Sequence, residues 1–191
     1  MGYDEKIFKA KANIKARRLW LVFAILLTAN YGTDTANGAY SVSNYIIFVI
    51  LCWLPFVCGD ILLKKKGKDN DRYRLAFVIG YGIFYVFLLC TTTSPIAFTY
   101  ILPIISLIVI FKDEKFMIYC AVANMLSLIA SIAFHIFVLG QDTAIDHKNF
   151  QLQIACLLLC YIGYIMSVRH LTESDAALTE SIKSDLNRVV T

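Results

Sequence analysis

The sequence predicts an all-α fold: a polytopic membrane protein of six transmembrane helices with a C-terminal cytoplasmic helical extension. Three observations carry that prediction. Apolar residues make up 59% of the 191 and charged residues 17%, with a mean hydropathy of +0.65, whereas soluble domains hold about 25% charged residues. The apolar surplus is gathered into six runs, each near the roughly 20 residues a helix needs to cross a bilayer. Finally, 17 of the 18 lysines and arginines fall on alternate connections between those runs. This composition argues against a water-soluble enzyme, a nucleic-acid binder and a disordered tail. The ~10-residue alternating segments of a membrane β-barrel are absent.

Residues 1–18 form a basic arm with Lys6, Lys9, Lys11, Lys15, Arg17 and Arg18. Ile7, Phe8, Ala12 and Ile14 suit an amphipathic helix lying on the inner leaflet; alternatively these cations only set topology. No small-residue cleavage site follows, so the arm does not read as a signal peptide. Residues 19–168 hold the six spans, placed at Leu19–Ala36, Asn44–Leu63, Leu75–Thr92, Ile96–Phe111, Met117–Leu139 and Phe150–Val168. Only Thr93-Ser94-Pro95 joins the third to the fourth, a tight helical hairpin. Pro55, Pro103, Gly80 and Gly82 mark places where a span bends or where two helices pack closely.

Orientation follows from charge. Besides the arm, cations cluster at Lys64–Arg74, at Lys112 and Lys115, and at Arg169, Lys183 and Arg188; the other side keeps only Lys148. The positive-inside rule then places both termini in the cytoplasm.

Catalytic signals are sparse, and the chain does not read as an enzyme. The six cysteines form no Cys-x-x-Cys pair, and Cys156 and Cys160, one turn apart, suit helix packing better than a soft metal. The three histidines form no His-x-x-x-His pair, and no nucleophile elbow or phosphate-cradling glycine loop occurs. No metal or cofactor is expected. Asp60, one turn before Lys64, is expected to pair with Lys64, Arg17 or Arg18, and Asn124 to bridge two helices.

Polar and aromatic groups gather at the outer ends of the spans. Tyr31 and Asp34 close the first, Thr91, Thr92 and Thr93 close the third, Tyr100 lies one turn into the fourth, and His135 lies near the end of the fifth. Such a convergence suits a small-ligand pocket. An interfacial belt of tyrosine and polar helix ends is the alternative.

Residues 169–191 change character, becoming polar and helix-prone without Gly or Pro. Leu171, Leu178, Ile182 and Val189 recur at a coiled-coil spacing, with Asp175 and Asp185 weakening the seam. The helix is expected to continue straight from the sixth span, to pair two chains as a homodimer, and to end at Thr191 without a stop signal, as a cut end would. A frayed, solvated terminus is the alternative.

Three stretches, Lys15–Gly38 (KARRLWLVFAILLTANYGTDTANG), Cys90–Pro103 (CTTTSPIAFTYILP) and His170–Thr191 (HLTESDAALTESIKSDLNRVVT), give the whole chain a likeness to a known family. It resembles the membrane input region of methyl-accepting chemotaxis receptors from anaerobic Gram-positive bacteria. The resemblance implies a sensor in the bacterial plasma membrane. Its last span would feed a cytoplasmic coiled coil carrying methylated glutamates and a tip that controls a kinase complex. Neither element lies in these 191 residues, so no such residue is carried over. The alternative is a substrate-capture subunit of a vitamin importer, also six-helix. Those subunits tend to carry a ladder of small residues on the first span for docking their motor module, but Leu19–Leu27 is bulky. A small lipid-active membrane enzyme is a third possibility, resting on Asp60.

Overall fold

The computed structural model describes residues 3–92 and 94–190. The described residues are helical, without strands, in the order α1 (Tyr3–Ala36), α2 (Val42–Lys66), α3 (Arg72–Thr91), α4 (Leu102–Ile108), α5 (Glu114–Phe137) and α6 (Ala144–Val190). Four of these, α2, α3, α5 and α6, are long and apolar enough to cross a membrane.

The arm does not form an element of its own. No Gly or Pro interrupts residues 3–31, and α1 runs 34 residues through the arm and the first apolar run. One face of it, Ala12, Asn13, Ala16, Trp20 and Ala24, is buried throughout. Asn13 fixes the arm by donating from Nδ2 to the carbonyls of Lys68 at 2.8 Å and Asn70 at 3.1 Å. The arm therefore packs on the α2–α3 connection as a continuation of α1, rather than turning to lie as a separate surface helix.

Ser41 caps α2 through the Asn44 amide at 3.2 Å, replacing one of the donors that a helix start leaves unpaired. Inside α2, Pro55 meets Gly80 of α3 at such close range that a Cβ on Gly80 would lie 2.3 Å from the Pro55 Cβ. Gly80 is thus a packing residue, whereas a Cβ on Gly82 would meet nothing within 4 Å.

The fourth apolar run is an irregular helix. Two 3-10 turns, Ala97–Ile101 and Val109–Phe111, flank α4. Non-ideal backbone in an apolar setting is tolerated only where protein surrounds it, and the first turn and α4 meet that condition, while Val109–Phe111 is only partly covered. Ala97, Ile101, Ile104, Ile105, Leu107 and Ile108 are all buried. From α3, Tyr81 donates to the Tyr100 carbonyl at 2.5 Å and Tyr85 to the Phe98 carbonyl at 3.0 Å. The core runs around this segment through Trp20, Phe48, Phe77, Phe84, Met117 and Leu157.

Lys112 takes a left-handed backbone (φ 50°) between the second 3-10 turn and α5, and Asp113 caps α5 through the Phe116 amide at 2.9 Å. At α6, Thr143 and Asp146 form a reciprocal box, with the Thr143 amide to Asp146 at 3.0 Å and the Asp146 amide to Thr143 at 3.2 Å. From there α6 continues unbroken for 47 residues, about 70 Å at 1.5 Å per residue. Asn124 of α5 donates to Tyr161 of α6 and so bridges the two helices.

Candidate ligand-binding site

Two cavities open at the end of the bundle where α3 gives way to the Ala97–Phe111 segment. Thr92 and Ser94 line both. The larger, about 320 Å³, is enclosed by Asn30, Tyr31 and Asp34 of α1, Tyr40 of the α1–α2 turn, Leu88 of α3, and the Ile96, Thr99 and Tyr100 region. Tyr31, Asp34, Thr92 and Tyr100, four of the seven residues singled out in the sequence, meet there.

The aromatic wall forms by stacking. The Tyr31 ring lies 4.3 Å from Tyr40 and 4.2 Å from Phe48, both nearly parallel. Rings stacked this closely on one ring occupy its two faces, so only the edge and hydroxyl of Tyr31 remain. Tyr40 shares a hydrogen bond with the Thr92 hydroxyl at 3.0 Å, and Thr92 also accepts from the Ser94 amide at 3.2 Å. Asn30 donates to the Tyr100 hydroxyl at 3.3 Å, and Thr99 donates back to the Ile96 carbonyl at 2.8 Å. Ser94 Oγ and Asn30 Oδ1 have no partner among the described residues, and two further groups stand out. The Tyr31 hydroxyl is buried with no hydrogen-bond partner among the described residues. The half-buried Asp34 carboxylate enters no ion pair or hydrogen bond among them either. None of the ten lining residues is a cation.

The remaining residues of the set go elsewhere. Thr91 turns back to donate to the Phe87 carbonyl at 2.8 Å, and Thr93 lies outside the described residues. His135 lines the other cavity, about 100 Å³, with Ser131, Gln141 and Phe150. Its Nδ1 sits 2.8 Å from Gln141 Oε1 and its Nε2 2.8 Å from the Leu89 carbonyl. It ties α5 to the end of α3 and to the α5–α6 turn. The single convergence expected from the sequence is therefore two neighbouring cavities, with Thr92 and Ser94 lining both.

At the opposite end, cations from all four basic stretches border one hollow of about 670 Å³, and each stretch pairs with an acid. Lys9 meets Asp71 at 3.0 Å and Arg74 meets Asp113 at 2.7 Å, while Lys112 pairs with Asp175 and Arg169 with Glu114. The bond to Asp71 lifts the Lys9 ammonium above its ordinary pKa against the opposing effect of desolvation. Partial burial pushes the Asp113 carboxyl up, but the Phe116 amide and Arg74 outweigh it and hold the pKa below the ordinary value. Asp60, close by, takes two of its three expected partners, Arg17 and Lys64. Asn13 is the residue that reading the sequence missed; a lone amide in a lysine-rich arm was its only signal.

Compared with protein-family models, with curated proteins and with solved structures, the chain matches none.

Proposed function

We propose that the chain is the non-enzymatic sensory input domain of a membrane receptor. In this reading a small molecule binds in the Asp34 cavity on the outer side, and α6 passes the change to a cytoplasmic coiled coil of the methyl-accepting receptor type. The observation that carries it is α6 itself, a single 47-residue helix about 40 Å longer than the roughly 30 Å hydrocarbon layer.

Beyond the four helices long and apolar enough to cross a membrane, the six-span reading takes the apolar part of α1 and the Ala97–Phe111 segment as two further crossings. The Ala97–Phe111 segment has eight residues in 3-10 turns and seven in α4. At about 2.0 Å and about 1.5 Å per residue these extend about 26 Å, close to the hydrocarbon thickness. With both termini at the cation-rich end, the positive-inside rule puts the tail in the cytoplasm and Asp34 outside.

The tail carries an unpartnered apolar stripe, with Leu171 39%, Leu178 61%, Ile182 60% and Leu186 64% exposed. An isolated helix of this length is marginal in water and gains its stability by covering such a face. A second copy of the chain covers it in the proposed dimer. A ligand shifts the pair by binding one arrangement of the bundle more tightly than the other. The importer reading finds less support, because Ala12, Ala16 and Ala24 of α1 are buried within the chain and Leu19, Val22, Ile25 and Leu26 face outward, with Ala29 exposed beside them.

Cysteine cross-linking in native membranes tests the proposal. Leu178→Cys and Ile182→Cys are expected to give disulfide-linked dimers, and the lipid-facing control Leu159→Cys is not. Absence of dimers from both tail positions overturns the receptor reading.

A further inference from the structure

Resting on the reading of the Asp34 cavity as a ligand site, we infer that it takes a small protonated amine, held by N–H donors to the Asp34 carboxylate and the Tyr31 phenol oxygen. The charge argument comes first. Asp34 is the only ionisable acid among the ten lining residues and has no cation among them. A half-buried carboxylate without a counter-ion is unfavourable at membrane depth, and a bound cation removes that penalty.

Hydrogen bonding narrows the class. The Tyr40, Thr92 and Thr99 hydroxyls are engaged with protein partners, and Tyr100 already accepts from Asn30. Among the groups left free, the Asp34 carboxylate only accepts, and the buried Tyr31 hydroxyl accepts as well as donates; Ser94 Oγ and Asn30 Oδ1 are also without a partner among the described residues. A divalent metal wants six or more oxygen ligands, commonly from several carboxylates, and only one carboxylate is present. A quaternary ammonium wants open aromatic faces; Tyr40 and Phe48 cover both faces of Tyr31, so that ring offers it none, and such a cation has no N–H for the Asp34 carboxylate. An ammonium with its own N–H groups satisfies the acid and the phenol together. The volume of about 320 Å³ holds on the order of ten water-sized groups at ~30 Å³ each, so the amine is small or is the headgroup of a lipid.

The test is calorimetric titration of the purified 191-residue chain with propylammonium at pH 7, in nanodiscs of phosphatidylglycerol, which has no amine headgroup. Saturable binding is expected, weakened at least tenfold in Asp34→Asn and in Tyr31→Phe. Tetramethylammonium, equal in charge but without an N–H, is expected to bind at least tenfold more weakly than propylammonium. Three results each overturn the inference: no saturable propylammonium binding, equal affinity for the two cations, or wild-type affinity in the variants. Tyr31→Phe removes one oxygen from an already packed ring and keeps the test decisive if Asp34→Asn does not fold. Repeating the titration in phosphatidylethanolamine identifies the source. A lower apparent affinity there means that headgroup amines compete, and an unchanged one means that the site selects free amines; both uphold the amine chemistry. Binding is read without any signalling step. Failure here therefore leaves the tail cross-linking experiment standing, and failure of cross-linking leaves amine binding standing.

Discussion

Tyr31 is held in place by its ring while its hydroxyl lacks a partner among the described residues. A buried polar atom of this kind lowers stability by about 1–3 kcal/mol. Tyr31→Phe is therefore expected to raise the unfolding midpoint of the ligand-free protein, the opposite of what a purely structural tyrosine would do. Gly80 gives the converse sign. A methyl there would overlap Pro55, a rigid ring that cannot swing aside, so Gly80→Ala is expected to lower stability by about 1–3 kcal/mol, as overpacking does, read as a lower thermal midpoint in detergent. Asp113 adds a pH dependence. Its folded pKa lies below the ordinary carboxylate value, so its contribution is complete above that ordinary value and is lost as pH falls through the lowered one. Asp113→Asn keeps a helix cap but removes the charge facing Arg74. The wild-type advantage over this variant, on the order of 1 kcal/mol near neutral pH, is expected to vanish in acid unfolding curves.

Among the elements, the Ala97–Phe111 segment departs furthest from an ideal helix, and its neighbours compensate. Tyr81 and Tyr85 serve carbonyls that a regular helix would satisfy internally. Tyr85→Phe keeps the shape but strands the buried Phe98 carbonyl, and a loss of about 1–3 kcal/mol is expected, measurable by chemical unfolding with the helical content unchanged. The run Ile96–Phe111 was legible in the sequence as an apolar segment. Its first 3-10 turn was not, because its carbonyls are served by hydroxyls from another helix. In α1 the apolar pattern starts at Leu19, but the helix does not. Periodicity reports where lipid-compatible residues begin, while helix continuity depends on the absence of breakers and on Asn13 anchoring the arm.

At the scale of the whole molecule, one stripe organises α6. Leu157, Tyr161 and Val168 face the core, and Leu171, Asp175, Leu178 and Ile182 continue at the same three- and four-residue spacing. The tail's apolar stripe thus lies on the side of α6 that faces its own bundle, and in the proposed dimer a partner helix approaches beneath the bundle rather than along the opposite face of α6. On that side, Lys112 holds Asp175 and Arg169 holds Glu114. These pairs are exposed enough for salt to screen them. Raising salt from about 0.1 M to about 1 M, where the Debye length falls from ~10 Å to ~3 Å, is expected to speed hydrogen exchange over residues 169–186 several-fold and leave α5 unchanged.

Composition and spacing alone dictate the helical class, the apolar runs, the sorting of cations between connections and the i,i+4 pairing of Asp60 with Lys64, because burial and charge cost are local properties of a segment. The cavity was half legible. Tyr31, Asp34, Thr92 and Tyr100 come together as their positions at helix ends suggest, yet His135 and Thr91 sit at similar ends and turn elsewhere. Which hydroxyl finds a partner and which acid is left without one depends on contacts between residues far apart in the chain, such as Tyr40 with Thr92 and His135 with the Leu89 carbonyl. Only the packed bundle sets those distances.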